Sequence, residues 1–263
     1  MMVTVHPSAV VSSKAEIGEN VSIGPYCIVG DKVQIGNGTV LEAFVRICDY
    51  VRIGENCRFF ENVTLGREPQ DFDFKGEESW VLLEDGITLR ENVTIHRASG
   101  EGKATRVGRG CYIMEGCHLG HNVEVGASVT MANKVGLSGY VNVGERTVIG
   151  GMAGVHQFVH IGRNCMIGGL AKIVKDVPPF LLVDGHPARV YGLNKVGLRR
   201  NGFNLAARTE LSRVYQQLYR GGLPLREALV LLREEKGQDP LVREILDFVD
   251  AGSGRGVTPW VRS

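Results

Sequence analysis

The sequence is poor in aromatic residues: 7% of its 263 positions, with only two tryptophans. It also lacks long apolar runs. Crossing a bilayer takes about 18 consecutive apolar residues, so no transmembrane segment is expected. The N-terminal stretch MMVTVHPSAV has no basic segment leading into an apolar run. No signal peptide is therefore expected, and the cytoplasm is the expected compartment. The formal net charge of +1 argues against nucleic acid as a whole-chain electrostatic partner. Six cysteines are present without any Cys-x-x-Cys spacing, which argues against a disulfide framework or a metal knot. In contrast, the chain has abundant glycine, 35 residues, and enough apolar residues, 43%, for a packed core.

The glycines fall in a repeat. Stepping by six from Val5 gives Val11, Ile17, Ile23, Val29 and Ile35, and the phase continues to Ile173. Only Asp71, Glu77 and Glu101 break it. The following position is often Gly, as at Gly18, Gly36, Gly120 and Gly162, and the fifth position of each hexad is small or β-branched. Five of the six cysteines (Cys27, Cys57, Cys111, Cys117 and Cys165) occupy that fifth position, where a free thiol acts as a small hydrophobe. A period of six does not match the helical 3.6. Each hexad instead reads as a short strand plus a corner, with the aliphatic residue inward and the Gly relieving crowding. Three hexads make a coil of about 18 residues, and the coils stack as a solenoid.

The pattern resembles the hexapeptide-repeat acyltransferases, which implies a mainly β chain folded as a left-handed parallel β-helix. General crossover rules favour the opposite hand, so the handedness comes from the resemblance. Residues 1–189 are expected to form this β-helix. Residues 66–80 and 98–105 lack the repeat and read as loops expelled from it, where binding functions concentrate. Pro178 and Pro179 are expected to stop the strand ladder. Residues 190–263 read as a C-terminal α-helical domain. One helix runs from about Leu205 towards Gly221, a second lies between Pro224 and Gly237, and a third covers DPLVREILDFVDAG. The final GSGRGVTPWVRS reads as a loose tail. From Arg189 to Arg220 seven basic residues face a single acid, Glu210, an excess suited to phosphates or an acidic protein partner.

No loop interrupts residues 107–173, so residues 18 apart should stack in columns. His121 then adjoins Gly139, and Gly139 adjoins Gln157. Gly120, Ser138 and His156 form the next column, and Asn122, Tyr140 and Phe158 the one after. This puts an imidazole, an unobstructed Gly139 N–H and two polar side chains on one wall. A neutral imidazole can take a proton from an attacking hydroxyl or amine, and a fixed N–H can hold the resulting oxyanion. No Ser or Cys pairs with His121, which favours direct acyl transfer over a covalent acyl-enzyme.

More specific stretches follow. HLGH at 118–121, IGGMAGVHQF at 149–158, DVPPF at 176–180, GLRRNGF at 197–203, PQDFDFKGE at 69–77 and NVTIHR at 92–97 are similar to the UDP-N-acetylglucosamine acyltransferases that begin lipid A synthesis. The similarity spans nearly the whole chain. It implies transfer of a (3R)-3-hydroxyacyl group from acyl carrier protein to the glucosamine 3-position, with no cofactor beyond the carrier's own phosphopantetheine and no metal. It implies that His121 is the general base and Gly139 the oxyanion donor. His118, His156 and Gln157 would line the substrate site, with Asp71 and His96 as further contacts. Asn194 and Arg200 would meet the nucleotide, and Gly169 would sit where acyl length is measured. The resemblance also implies a homotrimer with active sites between subunits.

The chain departs from the family pattern at three places. Asn122 stands where Asp is frequent, and it can accept a hydrogen bond but supplies no charge to an imidazolium. Tyr140 stands where His is expected. GLRRNGF leaves Asn201 where an Arg would contact phosphate. These departures suit an acceptor bearing a 3-amino group, which is the better nucleophile. Two other activities fit the solenoid alone: an acetyl-CoA-dependent acetyltransferase, and a zinc lyase of the γ-carbonic-anhydrase type using His118, His121 and His96 or His156. A catalytically silent scaffold would leave the clustered His and Gln residues without a purpose.

Overall fold

The computed structural model describes residues 2–261. The hexads form short strands, and up to Ile173 each strand pairs in parallel with the third one along the chain, giving sheets of 11, 9 and 8 strands once the closing hairpin is included. The sheets are the three walls of a left-handed parallel β-helix followed by helices. Uninterrupted coils repeat every 18 residues: His118 pairs with Gly136, and Cys57 N–H donates to Thr39 Oγ1 18 positions away. The aliphatic positions Ile113, Leu119, Val125 and Met131 point inward and are buried, as are the five fifth-position cysteines. Burial of each large side chain stabilises by roughly 1.5–3 kcal/mol, so the column of aliphatics is the core.

The glycines relieve crowding between coils, while the backbone reverses elsewhere. A Cβ on Gly24 would lie 2.9 Å from the carbonyl oxygens of Leu41 and Glu42 in the next coil. The left-handed backbone falls two residues later, mostly on residues with side chains: Asn56, Asn62, Asn92, Asn122, Tyr140 and Phe158 all have φ between 54° and 69°. Asparagine tolerates this region because its short amide can bond locally.

The two loops leave the ladder without changing its phase. Across the first, Glu55 pairs with Asp85, 30 positions away, so two whole hexads are expelled. Across the second, Thr94 and His118 are neighbours 24 apart, so one hexad is expelled.

The two prolines do not end the ladder, contrary to the sequence expectation. Leu181–Gly185 still pairs in parallel with Met166–Ile167, and then turns back as an antiparallel hairpin with Ala188–Leu193. The parallel partner needs its N–H groups at 181–185, beyond both prolines, so neither proline costs the sheet a donor.

Helix α1 (Lys195–Arg200) follows, then α2 (Leu205–Arg220), α3 (Leu225–Lys236) and α4 (Pro240–Asp250). The last three match the expected helices; α1, six residues long, has no clear apolar period. Asn204 and Asp239 cap α2 and α4 through their side-chain oxygens. Arg163 ties α4 to the β-helix with two bonds to the Glu244 carboxylate at 2.6 and 2.7 Å, and the buried Tyr215 hydroxyl donates to the Pro179 carbonyl.

The expected loose tail is docked through its described part, and its last two residues lie outside the described range. Val257 bridges Asp176 and Trp260 bridges Val190. The nearly buried Asp176 carboxylate accepts from His160 N–H, Ser253 N–H and the Ser253 hydroxyl. The polar composition of the tail concealed this, because its anchors are hydrogen bonds rather than an apolar stripe. At the other end the first coil is open: Val5 is 44% and Val10 65% exposed.

Candidate active site

One wall carries the strands Thr94–His96, His118–Leu119, Gly136–Leu137, Gly154–Val155 and Lys172–Ile173 in register. Their outward residues run Thr94, His118, Gly136, Gly154, Lys172. An added Cβ on Gly136 or Gly154 would meet nothing within 4 Å. The missing side chains leave a trough, a groove of about 560 Å³ lined by His96, His118, His121, Gly139, His156 and Gln157 among others. The column geometry therefore holds. Tyr140 N–H donates to the His121 carbonyl and Phe158 N–H to the Gly139 carbonyl.

His121 is 8% exposed and fixed at one ring nitrogen. Its Nδ1 lies 2.9 Å from Asn122 Oδ1. The same oxygen accepts from Ser99 N–H, while Asn122 Nδ2 donates to the Ser99 carbonyl. Those two backbone partners dictate which end of the amide is oxygen. Nδ1 therefore carries the proton, and Nε2 keeps its lone pair. Nε2 faces Gly139: a Cβ there would overlap it and would lie 2.6 Å from Cε1. The Gly139 N–H donates to no backbone carbonyl among the described residues. Asp71 Oδ2 lies 3.9 Å from Nδ1. The Asp71 carboxyl is held below its ordinary value by the Asp73 N–H and by Ser99.

His96 and His118 stand edge to face with centroids 5.1 Å apart. Burial lowers both pKa values, His96 and His118 alike. His118 Nδ1 is 2.8 Å from Thr94 Oγ1, whereas His96 Nδ1 is buried with no partner among the described residues. His156 is exposed at the groove edge. The Gln157 carbonyl beside it accepts from Arg255 Nε at 2.6 Å, so the tail braces this wall. Tyr140 stacks on Phe158 at 5.0 Å and meets the edge of His121 at 5.2 Å.

Asp71 and Tyr140 meet His121 without lining the groove, and three further expected site residues are not brought to it within one chain. Gly169 packs beside Gly151, whose carbonyl would be 3.3 Å from an added Cβ. Asn194 is buried and caps α1, accepting from Gly197 N–H and donating to the Asn164 carbonyl. Arg200 is exposed at the end of α1. None of the three lines the groove. Among the described residues, no three His, Cys, Asp or Glu side chains are placed to hold a metal ion. No helix among them is long and apolar enough to cross a membrane.

Beyond the floor glycines Gly136 and Gly154, four further residues that shape the site were not legible in the sequence. Ser99 and Gln70 lie on the expelled loops, where the period gives no coordinates. Thr105, on the strand Ala104–Val107 of the adjoining wall, is buried and accepts from Asn122 N–H. Arg255 lies in the segment taken as a tail. The run PQDFDF around Gln70 was the available signal for that residue.

The chain is similar to known proteins over nearly its whole length. A family model described as UDP N-acetylglucosamine O-acyltransferase, domain 2, matches residues 176–258. A second, described as hexapeptide repeat of succinyl-transferase, matches 140–169. The acyl-[acyl-carrier-protein]–UDP-N-acetylglucosamine O-acyltransferase of Thermodesulfovibrio yellowstonii is 43% identical, covering 96% of this chain and 98% of its own. That of Halorhodospira halophila is 38% identical over 97% and 99%. The crystal structure of the Francisella novicida UDP-N-acetylglucosamine acyltransferase superposes with a TM-score of 0.94 at 34% identity, covering 98% of this chain and 94% of that one.

Proposed function

The chain belongs to the UDP-N-acetylglucosamine O-acyltransferase family, and on that premise we propose that it moves a (3R)-3-hydroxyacyl chain from acyl carrier protein to the glucosamine 3-position of UDP-N-acetylglucosamine, opening lipid A synthesis. The observation that carries the mechanism is the placement of His121: Nδ1 bound to Asn122 and Nε2 facing Gly139. Nε2 takes the proton of the acceptor hydroxyl as its oxygen attacks the thioester carbonyl. The oxyanion is held by the Gly139 N–H. The intermediate collapses, the C–S bond breaks, and the proton on Nε2 passes to the departing phosphopantetheine sulfur. No covalent acyl-enzyme and no cofactor is needed.

The glycine floor at Gly136 and Gly154 offers the acyl chain a course toward Lys172, with His96, His118, His156 and Gln157 around the reacting groups. Asn194, Arg200 and Gly169 lie away from this groove, which favours a homotrimer in which a neighbouring subunit completes the site. The basic excess between Arg189 and Arg220 suits the nucleotide diphosphate and the acidic carrier. The cytoplasm supplies both substrates. The neutral Asn122 and the phenol of Tyr140 keep a 3-amino acceptor as the second reading, since an amine depends less on a strong base.

A mass-spectrometric transfer assay tests this. UDP-N-acetylglucosamine and its 3-amino analogue are each supplied with 3-hydroxyacyl carrier proteins of graded length. Product from wild type that is lost in His121→Ala supports the reading. Product that survives in His121→Ala removes His121 as base. Faster transfer to the 3-amino analogue selects the second acceptor. Transfer from acetyl-CoA alone overturns the donor.

A further inference from the structure

We infer that Asp71, carried on the first expelled loop, is the positioning residue that supplies His121 with its negative charge. The inference deepens the acyl-transfer reading and rests on His121 as its base. When Nε2 takes a proton, the ring becomes cationic while Nδ1 keeps its own hydrogen. Asn122 accepts that hydrogen at 2.9 Å but is neutral. Its amide cannot ionise, and it cannot turn, because Ser99 occupies both of its ends. The Asp71 carboxylate stands on the same side of the ring, 3.9 Å from Nδ1, with only 21% of its side chain exposed. Asp71 is itself held in place, with Oδ1 accepting from Asp73 N–H at 3.1 Å. The countercharge therefore arrives through space from a loop rather than from the residue next to the base.

The other charges facing this ring come from three elements. Asp73 and Lys75 share the loop with Asp71. His96, with His118 against it, stands on the wall and repels a cationic His121. Tyr140 meets the ring by its edge. His96 opposes protonation, Lys75 offsets Asp71, and Asp71 is the acid in ion-pair range of Nδ1. The neighbouring residue contributes orientation, and the loop contributes charge. An Asp71 that served the substrate alone would have no effect on the imidazole of the free protein.

The test is a histidine titration by NMR on the full-length, histidine-labelled protein without substrates. The His121 signal is assigned by its loss in His121→Ala. In Asp71→Asn the His121 midpoint should fall by about half to one pH unit, and Asp71→Glu should keep it near wild type. Asn can still accept from Asp73 N–H, so the loop is preserved. Transfer assays on the same variants should show kcat lowered about tenfold to hundredfold in Asp71→Asn, with the acid limb of kcat/KM moved to lower pH. An unchanged His121 midpoint in Asp71→Asn overturns the inference. A higher KM for the acceptor with an unchanged profile would leave Asp71 as a substrate contact only. A shifted midpoint in a protein that transfers nothing would overturn the proposed function and leave the ion pair standing.

Discussion

The backbone of Ser99 donates to Asn122 Oδ1 at 2.9 Å and accepts from Asn122 Nδ2 at 3.0 Å. A loop residue thus sets the tautomer of the histidine beside Asn122. Asn122→Ala should lower kcat about tenfold to hundredfold with a smaller change in acceptor KM, since it frees the ring. It also leaves two backbone groups of the buried Ser99 unpaired, at a cost of about 1–3 kcal/mol. Steady-state kinetics and thermal unfolding check both parts.

Gly139→Ala should abolish transfer while preserving the fold. The backbone at Gly139 is not left-handed, so alanine is conformationally allowed. The new methyl would instead overlap the His121 ring and displace Nε2 from the reacting atoms. A loss of at least about a hundredfold in single-turnover rate is expected, with an unchanged circular dichroism spectrum.

Stability should decline as the medium is acidified toward pH 5, before the carboxylates titrate. Burial lowers the pKa of His96 and of His118. The unfolded chain therefore takes up these protons first, near the ordinary histidine value of about 6.5. The stability of the neutral pair is complete above that value and is lost as pH falls through the lower folded values. Thermal melts in steps from about pH 7.5 to 5 should show this slope, and His96→Gln with His118→Gln should flatten it.

Asp176→Ala should release the C-terminal segment. It removes three hydrogen bonds to a nearly buried carboxylate, a loss of about 2–4 kcal/mol. Arg255→Ala should lower kcat/KM several-fold with little change in melting temperature, because it frees only the Gln157 carbonyl. Differential scanning calorimetry and kinetics on the two variants separate the effects.

The uninterrupted coils were legible in the sequence because their geometry is periodic. Once the hexad is found, the neighbours of His121 and Gly139 follow by counting 18, and the register bears that out. The corner conformation was not legible. Glycine at the second position suggested where the chain turns, but the turn lies at Asn122 or Tyr140 and the glycine serves the close approach of coils. The loops were legible only as interruptions. Their return to the same phase after 30 and 24 positions locates their ends, yet the meeting of Asp71 and Ser99 at one imidazole depends on contacts without a period. The docked tail escaped because its anchors, the buried Asp176 carboxylate, the Trp260 bridge and the Arg255 bond, follow no period.

The two ends of the solenoid are unlike. At the C-terminal end the last coils are covered by the hairpin, the helices and the tail. At the other end Val5 and Val10 face solvent. In a stack where each coil rests on its neighbours, melting has a direction. Amide protons of the first coils should exchange soonest, with protection climbing coil by coil and the wall bearing His121 opening late. The chain can thus lose order at one end while its chemistry, several coils away, is still assembled.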